Sequence, residues 1–396
     1  MSWKVTCVMD EKMRFVLRAK EKECSRAELC RQFGISRKTG YKWIDRYEKE
    51  GPPGLADQSR RPAHTPTVVS KKTEQVLVRL RQKHPTWGAK KLLVLFKQNH
   101  PDLPPCARST AQDILKRNGL VKERRGKRNK ATPNAQPLQH CQAINQVWCV
   151  DFKGAIYTSD GAKCEPLTIT DAFSRLLFRC QNLSANNTEH TRAVFETLFR
   201  ECGLPERIRS DNGVPMATVG LCGLSKLSVW WMRLGIHVER IRPGKPQENG
   251  RHERMHRTLK AETANPPQAT LREQQAAFDR FRYEYNNQRP HEALGMQTPA
   301  SLYQPSPRTY PARLAPVVYP EDWRTRNVRT NGSMKWNGRE VRITTALAGE
   351  TLGLKWREAG RWEVYFMTLL LGVFDEEKMR LEEAEPIKPA QAETQA

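Results

Sequence analysis

The sequence predicts a multidomain α and α/β fold, with helical units first, a mixed α/β layered domain in the middle and a small β domain near the end. Three observations lead to this fold class. Capped helical segments with glycine turns fill the first part of the chain, strand-like and helix-like segments then alternate, and short runs separated by Asn-Gly and Ala-Gly pairs follow residue 328. A chain of 396 residues is also too long for one ordinary domain.

The charge of the chain points to a polyanion as its partner. The formal net charge is +24, and residues 1–150 hold 32 Lys/Arg against 13 Asp/Glu, whereas the rest holds 35 against 30. The front therefore carries most of the attraction for phosphate. No apolar run is long enough to cross a bilayer, and the ten cysteines show neither CxxC pairs nor zinc spacing. We therefore expect a cytoplasmic protein that binds nucleic acid and no membrane.

The segment Cys24–Tyr47 predicts a helix-turn-helix unit within a domain at residues 1–50. Ser25 and Glu28 form a capping box, Gly34 permits the tight turn, and Ser36 caps the second helix. If that second helix lies in the major groove of DNA, its opposite side, with Trp43 and Ile44, packs into the core of the domain. Its expected DNA-binding residues are Arg37, Lys38, Tyr41 and Lys42.

A second helical unit, of helix-turn-helix or winged-helix type, is predicted at residues 71–120, after a Pro/Gly/Arg-rich linker at residues 51–70. The expected helices are Val76–Lys83, Lys90–Gln98 and Ser109–Asn118. The last helix is expected to open on a Ser109/Gln112 capping box and to stop at Gly119. A basic linker is expected over residues 121–144.

Residues 145–305 alternate in the order expected of a mixed α/β layered domain. Strands are expected around "NQVWCVDFKGAIY", in a hairpin "EPLTITDAFSRLLFRCQNL", and in "PERIRSDNG" and "IHVERI". Helices are expected at Thr188–Glu201, with Asn186 and Glu189 as its capping box, at Leu224–Leu234 and from Arg251 to Ala261. A further helix is expected from Thr270, capped with Glu273.

Two aspartates stand in apolar strands of this domain. Asp151 lies within one strand and Asp211 ends another. A buried carboxylate is costly unless it is paired or bound to a metal. Each aspartate alone is more typical of a structural role, but together with a helical glutamate they could hold two Mg²⁺ ions for a displacement at phosphorus.

The motifs "VDFKG", "ITDAFSR", "RSDNG", "GKPQENGRHERMHRTLK" and "YNNQRPHEALGMQTPASLY" together resemble the core of DDE transposases of bacterial insertion sequences. The resemblance implies an RNase H-like catalytic core similar to that of retroviral integrases. It assigns the catalytic and metal-binding roles to Asp151, Asp211 and Glu253, with Mg²⁺ as cofactor and Mn²⁺ as its substitute. Asp171 is expected to be structural, because the family's second acid lies in the DNG turn. The additional "MATVGLCGLSKL" after that turn departs from the retroviral pattern and is expected to form a loop.

The helical glutamate had two candidates, Glu248 and Glu253. Glu248 lies roughly 140° from Glu253 around a helix and falls at or before the first turn, where the helix dipole alone favours an acid. Glu253 instead shares a face with Arg257 and Lys260, which are expected to contact DNA. A basic residue seven positions after the catalytic glutamate also matches the family.

The end of the chain predicts a small SH3-like β-barrel at residues 315–376 and a disordered acidic tail at residues 377–396. The expected function is Mg²⁺-dependent cleavage at transposon 3′ ends and transfer of the 3′-hydroxyl into target DNA. The expected partners are double-stranded DNA and further copies of the chain in a synaptic complex, in the bacterial nucleoid. Two alternatives stay open: a nuclease that cuts without joining, and a DNA-binding regulator without catalysis.

Overall fold

A computed structural model describes residues 7–58, 69–121, 141–242 and 250–383. The chain divides into two compact units, Met1–Val69 and Ser70–Ala396. The helices are α1 Val8–Glu21, α2 Arg26–Gln32, α3 Arg37–Glu50, α4 Lys71–Lys83, α5 Ala89–Asn99, α6 Arg108–Arg117, α7 Thr188–Cys202, α8 Lys226–Arg233, α9 Gly250–Thr263, α10 Leu271–Asn287 and α11 Pro299–Leu302. In these described ranges, no helix combines the length and apolarity that crossing a membrane requires.

The first unit contains the predicted helix-turn-helix. Ser25 and Ser36 cap α2 and α3, since each side chain accepts a hydrogen bond from the backbone three residues later. Gly34 has a φ of 62° in the turn between them, a conformation that favours glycine. Trp43 and Ile44 are buried as expected. These features confirm the motif.

Two elements of the first unit were not predicted. Helix α1 contributes Phe15 and Val16 to the core, and a 3-10 helix at Pro52–Leu55 contributes the fully buried Leu55. The packed structure therefore continues past residue 50, into the expected linker. Helix α1 and this short helix bury their apolar side chains against α3 and against each other, and such tertiary contacts leave no local pattern in the sequence.

Helices α4, α5 and α6 form the second helical unit around Trp87, Leu92, Leu95 and Leu115. All three predicted helices are present. The Ser109/Gln112 capping box is wrong, because α6 begins at Arg108 after Ala107, and no side chain caps it. Ser109 thus lies inside the first turn. Gly119, with a φ of 69°, follows the end of α6 as predicted.

The second helical unit packs against the end of α9 and the segment after α10. Arg289 forms an ion pair with Glu262, with 2.6 Å between its nitrogen and the carboxylate oxygen. The guanidinium of Arg289 also stands over the ring of Trp87, 5.6 Å from its centroid. The Thr86 hydroxyl donates a hydrogen bond to Glu262. These contacts connect the second helical unit directly to the central domain.

The central domain is built on a five-stranded mixed sheet in the order β5-β4-β1-β6-β7. Its strands are β1 Val147–Phe152, β4 Pro166–Asp171, β5 Leu177–Asn182, β6 Arg207–Ser210 and β7 His237–Arg240, and the pair β2 Ile156–Tyr157 and β3 Lys163–Cys164 stands apart. Strand β1 pairs antiparallel with β4 and parallel with β6, and β6 pairs parallel with β7. The predicted mixed α/β order is confirmed.

Helices cover this sheet and bury its apolar side chains. The core includes Trp148 from β1, Phe195 and Phe199 from α7, and Trp231 from α8, all of them fully buried. Helix α7 is capped by Asn187, so the prediction of Asn186 as its cap was wrong by one residue. A second cluster joins α9 and α10 to the sheet through Leu259, Phe278 and Phe281 among others. Thr270 caps α10 as predicted.

Seven strands follow the central domain: β8 Arg324–Asn327, β9 Ser333–Trp336, β10 Arg339–Arg342, β11 Thr351–Glu358, β12 Arg361–Phe366, β13 Leu369–Asp375 and β14 Arg380–Glu383. Five of them form an antiparallel sheet in the order β14-β13-β12-β11-β8, and β9 and β10 form a separate hairpin. The expected SH3-like barrel is not confirmed. Strand β14 lies where a disordered tail was expected, so that expectation was wrong for residues 380–383.

Two of the three predicted turns in this β domain join strands that pair with each other, and the third does not. Asn337-Gly338 joins β9 to β10 and Ala359-Gly360 joins β11 to β12, as predicted. The turn at Asn331-Gly332 does not join two paired strands, because β8 pairs with β11. The additional loop before α8 packs on the core of this domain through Leu224, and therefore links the β domain to the central sheet.

Candidate active site

The two predicted aspartates lie at the same end of neighbouring parallel strands. Strands β1 and β6 pair with Cys149 opposite Arg209. Continuing this register by two residues brings Asp151 opposite Asp211, which directly follows β6. Because parallel strands end at the same edge of a sheet, residues 60 positions apart in the sequence become neighbours.

Helix α9 contains Glu253, the residue predicted to supply the third carboxylate. One face of this helix is buried, and its side chains recur at helical spacing: His252, Met255, His256, Leu259 and Thr263. Glu253 lies in the first turn and is exposed. It borders an open groove of about 470 Å³, lined by Lys153, Glu253, His256, Arg257, Lys260, Ala261 and Asn265.

The charges of Asp211 and Glu253 both act on the Asp151 carboxyl. Burial and, next, the charge of Asp211 raise the pKa of the Asp151 carboxyl to about 7, and the charge of Glu253 contributes less in the same direction. A backbone hydrogen bond from Phe152 and the charge of Lys153 act in the opposite direction. Like charges that crowd at one place favour the binding of a cation.

A buried network of histidines and threonines lies behind Asp151. The Oγ1 atom of Thr168 lies 2.7 Å from Nε2 of His252 and 2.7 Å from Nε2 of His256. The same hydroxyl donates to the backbone carbonyl of Asp151 over 3.0 Å. Nδ1 of His252 lies 3.0 Å from Oγ1 of Thr170. The network therefore joins α9 to β4 and β1.

Burial lowers the pKa of both histidines. Burial, assisted by the charge of Lys153, lowers the pKa of His256 to about 3, and burial together with His256 lowers the pKa of His252 well below its usual value. One ligand atom from each of Asp151, His252 and His256 lies within 4.8 Å of the others. Sequence reasoning missed this group. The signal was the pair of histidines four positions apart on the buried face of α9, in "RHERMHR".

Asp171 has the structural surroundings expected for it. Its carboxylate is fully buried and accepts hydrogen bonds from the backbone N–H of Asn145 at 2.9 Å and of Ser174 at 2.7 Å. The Ser174 hydroxyl donates a third bond at 2.7 Å. Burial raises the pKa of this carboxyl. Asp171 thus holds the turn between β4 and β5.

The remaining predicted residues are divided between the two units. Arg257 and Lys260 are exposed and line the same groove as Glu253. In the first unit, the side chains predicted to contact DNA are exposed on α3: Arg37, Lys38, Tyr41 and Lys42. Glu248 lies outside the described residues. The roles of these residues in DNA binding stay predictions.

Models of known families match five segments of the chain. Two integrase core domain models match residues 142–246 and 234–299. A helix-turn-helix domain matches residues 11–63 and a homeodomain-like domain matches residues 39–115. The C-terminal domain of IS481 family transposases matches residues 323–381. The fold and these matches define a class of protein with helix-turn-helix domains before an integrase-like core.

Two curated relatives belong to insertion elements. A protein of element IS407 from Burkholderia multivorans is 26% identical over 190 residues, which cover 48% of this chain and 66% of the relative. A protein of element IS476 from Xanthomonas euvesicatoria is 25% identical over 254 residues, covering 63% and 69%. The chain thus spans about two thirds of the length of these relatives. Together with the matched domains, they support the predicted resemblance to insertion-sequence transposases with an integrase-like core.

Solved structures with partial similarity include retroviral integrase cores. The catalytic core domain of HTLV-2 integrase in complex with magnesium has a TM-score of 0.32 and 15% identity, and the match covers 41% of this chain and 99% of that one. The catalytic core domain of BIV integrase has a TM-score of 0.31 and 21% identity, covering 40% and 93%.

Proposed function

We propose that this protein is a Mg²⁺-dependent DNA transposase that cleaves at the 3′ ends of its element and transfers the 3′-hydroxyl into target DNA. Asp151, Asp211 and Glu253 form its carboxylate triad. Two observations support the proposal: the two aspartates lie at the same end of neighbouring parallel strands, and the charges of Asp211 and Glu253 both raise the pKa of Asp151.

The donor set fits divalent cations of the Mg²⁺ type. Three carboxylates offer the hard oxygen ligands that Mg²⁺ prefers, and Mn²⁺ takes the same donors. The crowded negative charge around Asp151 favours a cation over an empty site. When bound, two such ions would place positive charge beside the attacking and leaving oxygens and so stabilise a displacement at phosphorus.

The other residues of the groove supply positive charge around the triad. Lys153, Arg257 and Lys260 line the groove with Glu253. Ammonium and guanidinium groups hold phosphate oxygens through charge-assisted hydrogen bonds, so these side chains would orient the scissile strand. No side chain of the chain is required as a nucleophile, because the attacking group is water or the 3′-hydroxyl.

Double-stranded DNA is the proposed partner, in the form of element ends and target. The net charge of +24 and the exposed cations on α3 support it. We also propose that copies of the chain assemble in a synaptic complex, since two ends must be joined to one target.

The test uses the full chain, labelled duplexes of the element's terminal inverted repeats, a target plasmid and Mg²⁺. Glu253→Gln removes a ligand charge without changing the side-chain volume, so cleavage and joining should both be lost while binding to the ends stays nearly intact. Asp151→Asn and Asp211→Asn should behave alike. Glu248→Gln is the matched control and should keep substantial activity.

The products separate this proposal from its alternatives. A strand-transfer product that requires Glu253 supports the transposase. Cleavage without any joined product would indicate a nuclease. Specific binding to the ends without cleavage in either Mg²⁺ or Mn²⁺ would indicate a regulator and refute the catalytic proposal. Full activity of Glu253→Gln together with an inactive Glu248→Gln would refute the assignment of the helical glutamate.

A further inference from the structure

The hydroxyl group of Thr168 fixes the protonation of the two histidines that surround it. A threonine hydroxyl carries one hydrogen and two acceptor lone pairs. Because a carbonyl oxygen can only accept, the hydrogen of Thr168 is donated to the carbonyl of Asp151, 3.0 Å away. Its oxygen must therefore accept from Nε2 of both His252 and His256, each at 2.7 Å. Each Nε2 atom carries a hydrogen.

A histidine that binds a metal is neutral and has one N–H, so a ring with its hydrogen on Nε2 can offer only Nδ1 as a ligand or acceptor. For His252 the partner is present, because the Thr170 hydroxyl can donate to its Nδ1 over 3.0 Å. For His256 it is not: among the residues that the structure describes, no group donates a hydrogen bond to Nδ1. This nitrogen instead faces Oδ2 of Asp151 at 3.7 Å.

A nitrogen lone pair that faces a carboxylate oxygen is a suitable arrangement for binding a shared cation. A separation of 3.7 Å is too long for a shared proton. It suits two ligands of one cation, because donor-to-metal distances of roughly 2.0–2.2 Å place such ligands within about 4 Å of each other. His256 also lines the groove that Glu253 borders, so its ring reaches the proposed cation site.

We propose that Nδ1 of His256 is a nitrogen ligand of the cation held at Asp151. This inference rests on the proposed function for the presence of that cation. It gives the site a mixed nitrogen and oxygen donor set. Mg²⁺ takes oxygen ligands, whereas imidazole favours first-row transition ions, so the site should prefer Mn²⁺ over Mg²⁺. Thr168 is a positioning residue, because it keeps the proton of His256 on Nε2.

Pulsed electron paramagnetic resonance on the full chain loaded with Mn²⁺ tests the proposal without any activity measurement. A histidine nitrogen bound to Mn²⁺ modulates the electron spin echo, and labelling the histidines with ¹⁵N shifts that modulation. We expect the modulation in the native protein and its loss in His256→Gln. His237→Gln, which removes an exposed histidine, is the matched control and should retain it.

Affinity supplies a second readout. The dissociation constant for Mn²⁺ should rise about tenfold in His256→Gln, while that for Mg²⁺ changes by less than about threefold. In His256→Asn the side-chain oxygen can replace Nδ1, so this variant should still bind Mn²⁺ but without the histidine modulation. Melting temperatures show whether each variant is folded.

Three outcomes would overturn the inference. If ¹⁵N labelling of the native protein changes nothing, no histidine binds the ion, and this result needs no variant. Modulation that persists in a folded His256→Gln would show that another histidine is the ligand. If Mn²⁺ binding is unaffected by Asp151→Asn, the cation site of the proposed function fails as well. The first two outcomes leave that function standing.

Discussion

Replacing Asp151 by asparagine should stabilise the metal-free protein at pH 8, although it removes a proposed ligand. Asparagine has nearly the volume of aspartate but never carries its charge. In the folded protein, burial and then the charge of Asp211 raise the pKa of Asp151 to about 7. An acid whose pKa is raised by folding stabilises the fold only while it is protonated, and this contribution is lost as the pH rises through 7.

The size of the effect follows from the two pKa values. The ordinary pKa of an aspartate is 3.8 and its pKa in the folded protein is about 7, so the carboxylate disfavours folding by about 4 kcal/mol once it is ionised in both states. Solvent reaches part of the side chain, which is 23% exposed, and we expect the gain from asparagine to be about 2–4 kcal/mol at pH 8. At pH 5 the folded-state carboxyl is still protonated, and the gain should be only about 1–2 kcal/mol.

Hydrogen exchange of the β1 peptide, measured in EDTA, is the suitable assay because the chain has several domains and no single free energy of unfolding. Asp171→Asn is the control: it should destabilise at both pH values, since an amide cannot accept all three hydrogen bonds made to Asp171. Two results would refute the raised pKa of Asp151: equal hydrogen-exchange protection of native protein and Asp151→Asn at pH 8, or a gain in protection that is the same at both pH values.

Lys260→Ala should slow single-turnover cleavage more than it weakens DNA binding, because Lys260 lines the groove beside Glu253 while other cations sustain affinity. Arginine at this position should rescue cleavage in part, and an unchanged cleavage rate in Lys260→Ala would show that Lys260 is an ordinary surface lysine. Arg37→Ala or Lys42→Ala should weaken binding to the element's ends and flatten its salt dependence, as measured by fluorescence anisotropy across a salt series. Arg289→Ala should cost about 1–3 kcal/mol, measured as lost hydrogen-exchange protection of the α9 peptide, because it removes the ion-pair partner of the half-buried Glu262 carboxylate. The double variant with Glu262→Gln should recover part of the loss.

The elements that position the triad could be predicted because their signals are local. The strand with Asp151, the DNG turn after β6 and the helix with Glu253 each have a pattern within about ten residues. Caps such as Ser36 and Thr270 were predicted for the same reason, since a cap depends on the next few positions. The caps that failed, Ser109 and Asn186, stood one or two positions from the true helix start, where several polar residues compete.

The contacts that could not be predicted depend on distant partners. Thr168 and His256 are 88 positions apart and meet only because α9 packs across β4. Strand β8 pairs with β11 rather than with the next strand, so a hairpin signal at Asn331-Gly332 misled the prediction of a small barrel. Helix α1 has a cysteine as its cap, which is not among the preferred residues and gives little signal in the sequence.

Helix α9 connects the proposed chemistry to the second helical unit. Glu253 lies in its first turn, and Glu262 lies nine residues later, about 14 Å along the axis at 1.5 Å per residue. At one end His252 and His256 fix the helix to β4 beside Asp151. At the other end Glu262 binds Arg289 and Thr86, which attach the second helical unit. Because a short α-helix is rigid, any DNA held by the second helical unit lies at a fixed distance from the groove. The position of the cut would then be set by the length of α9.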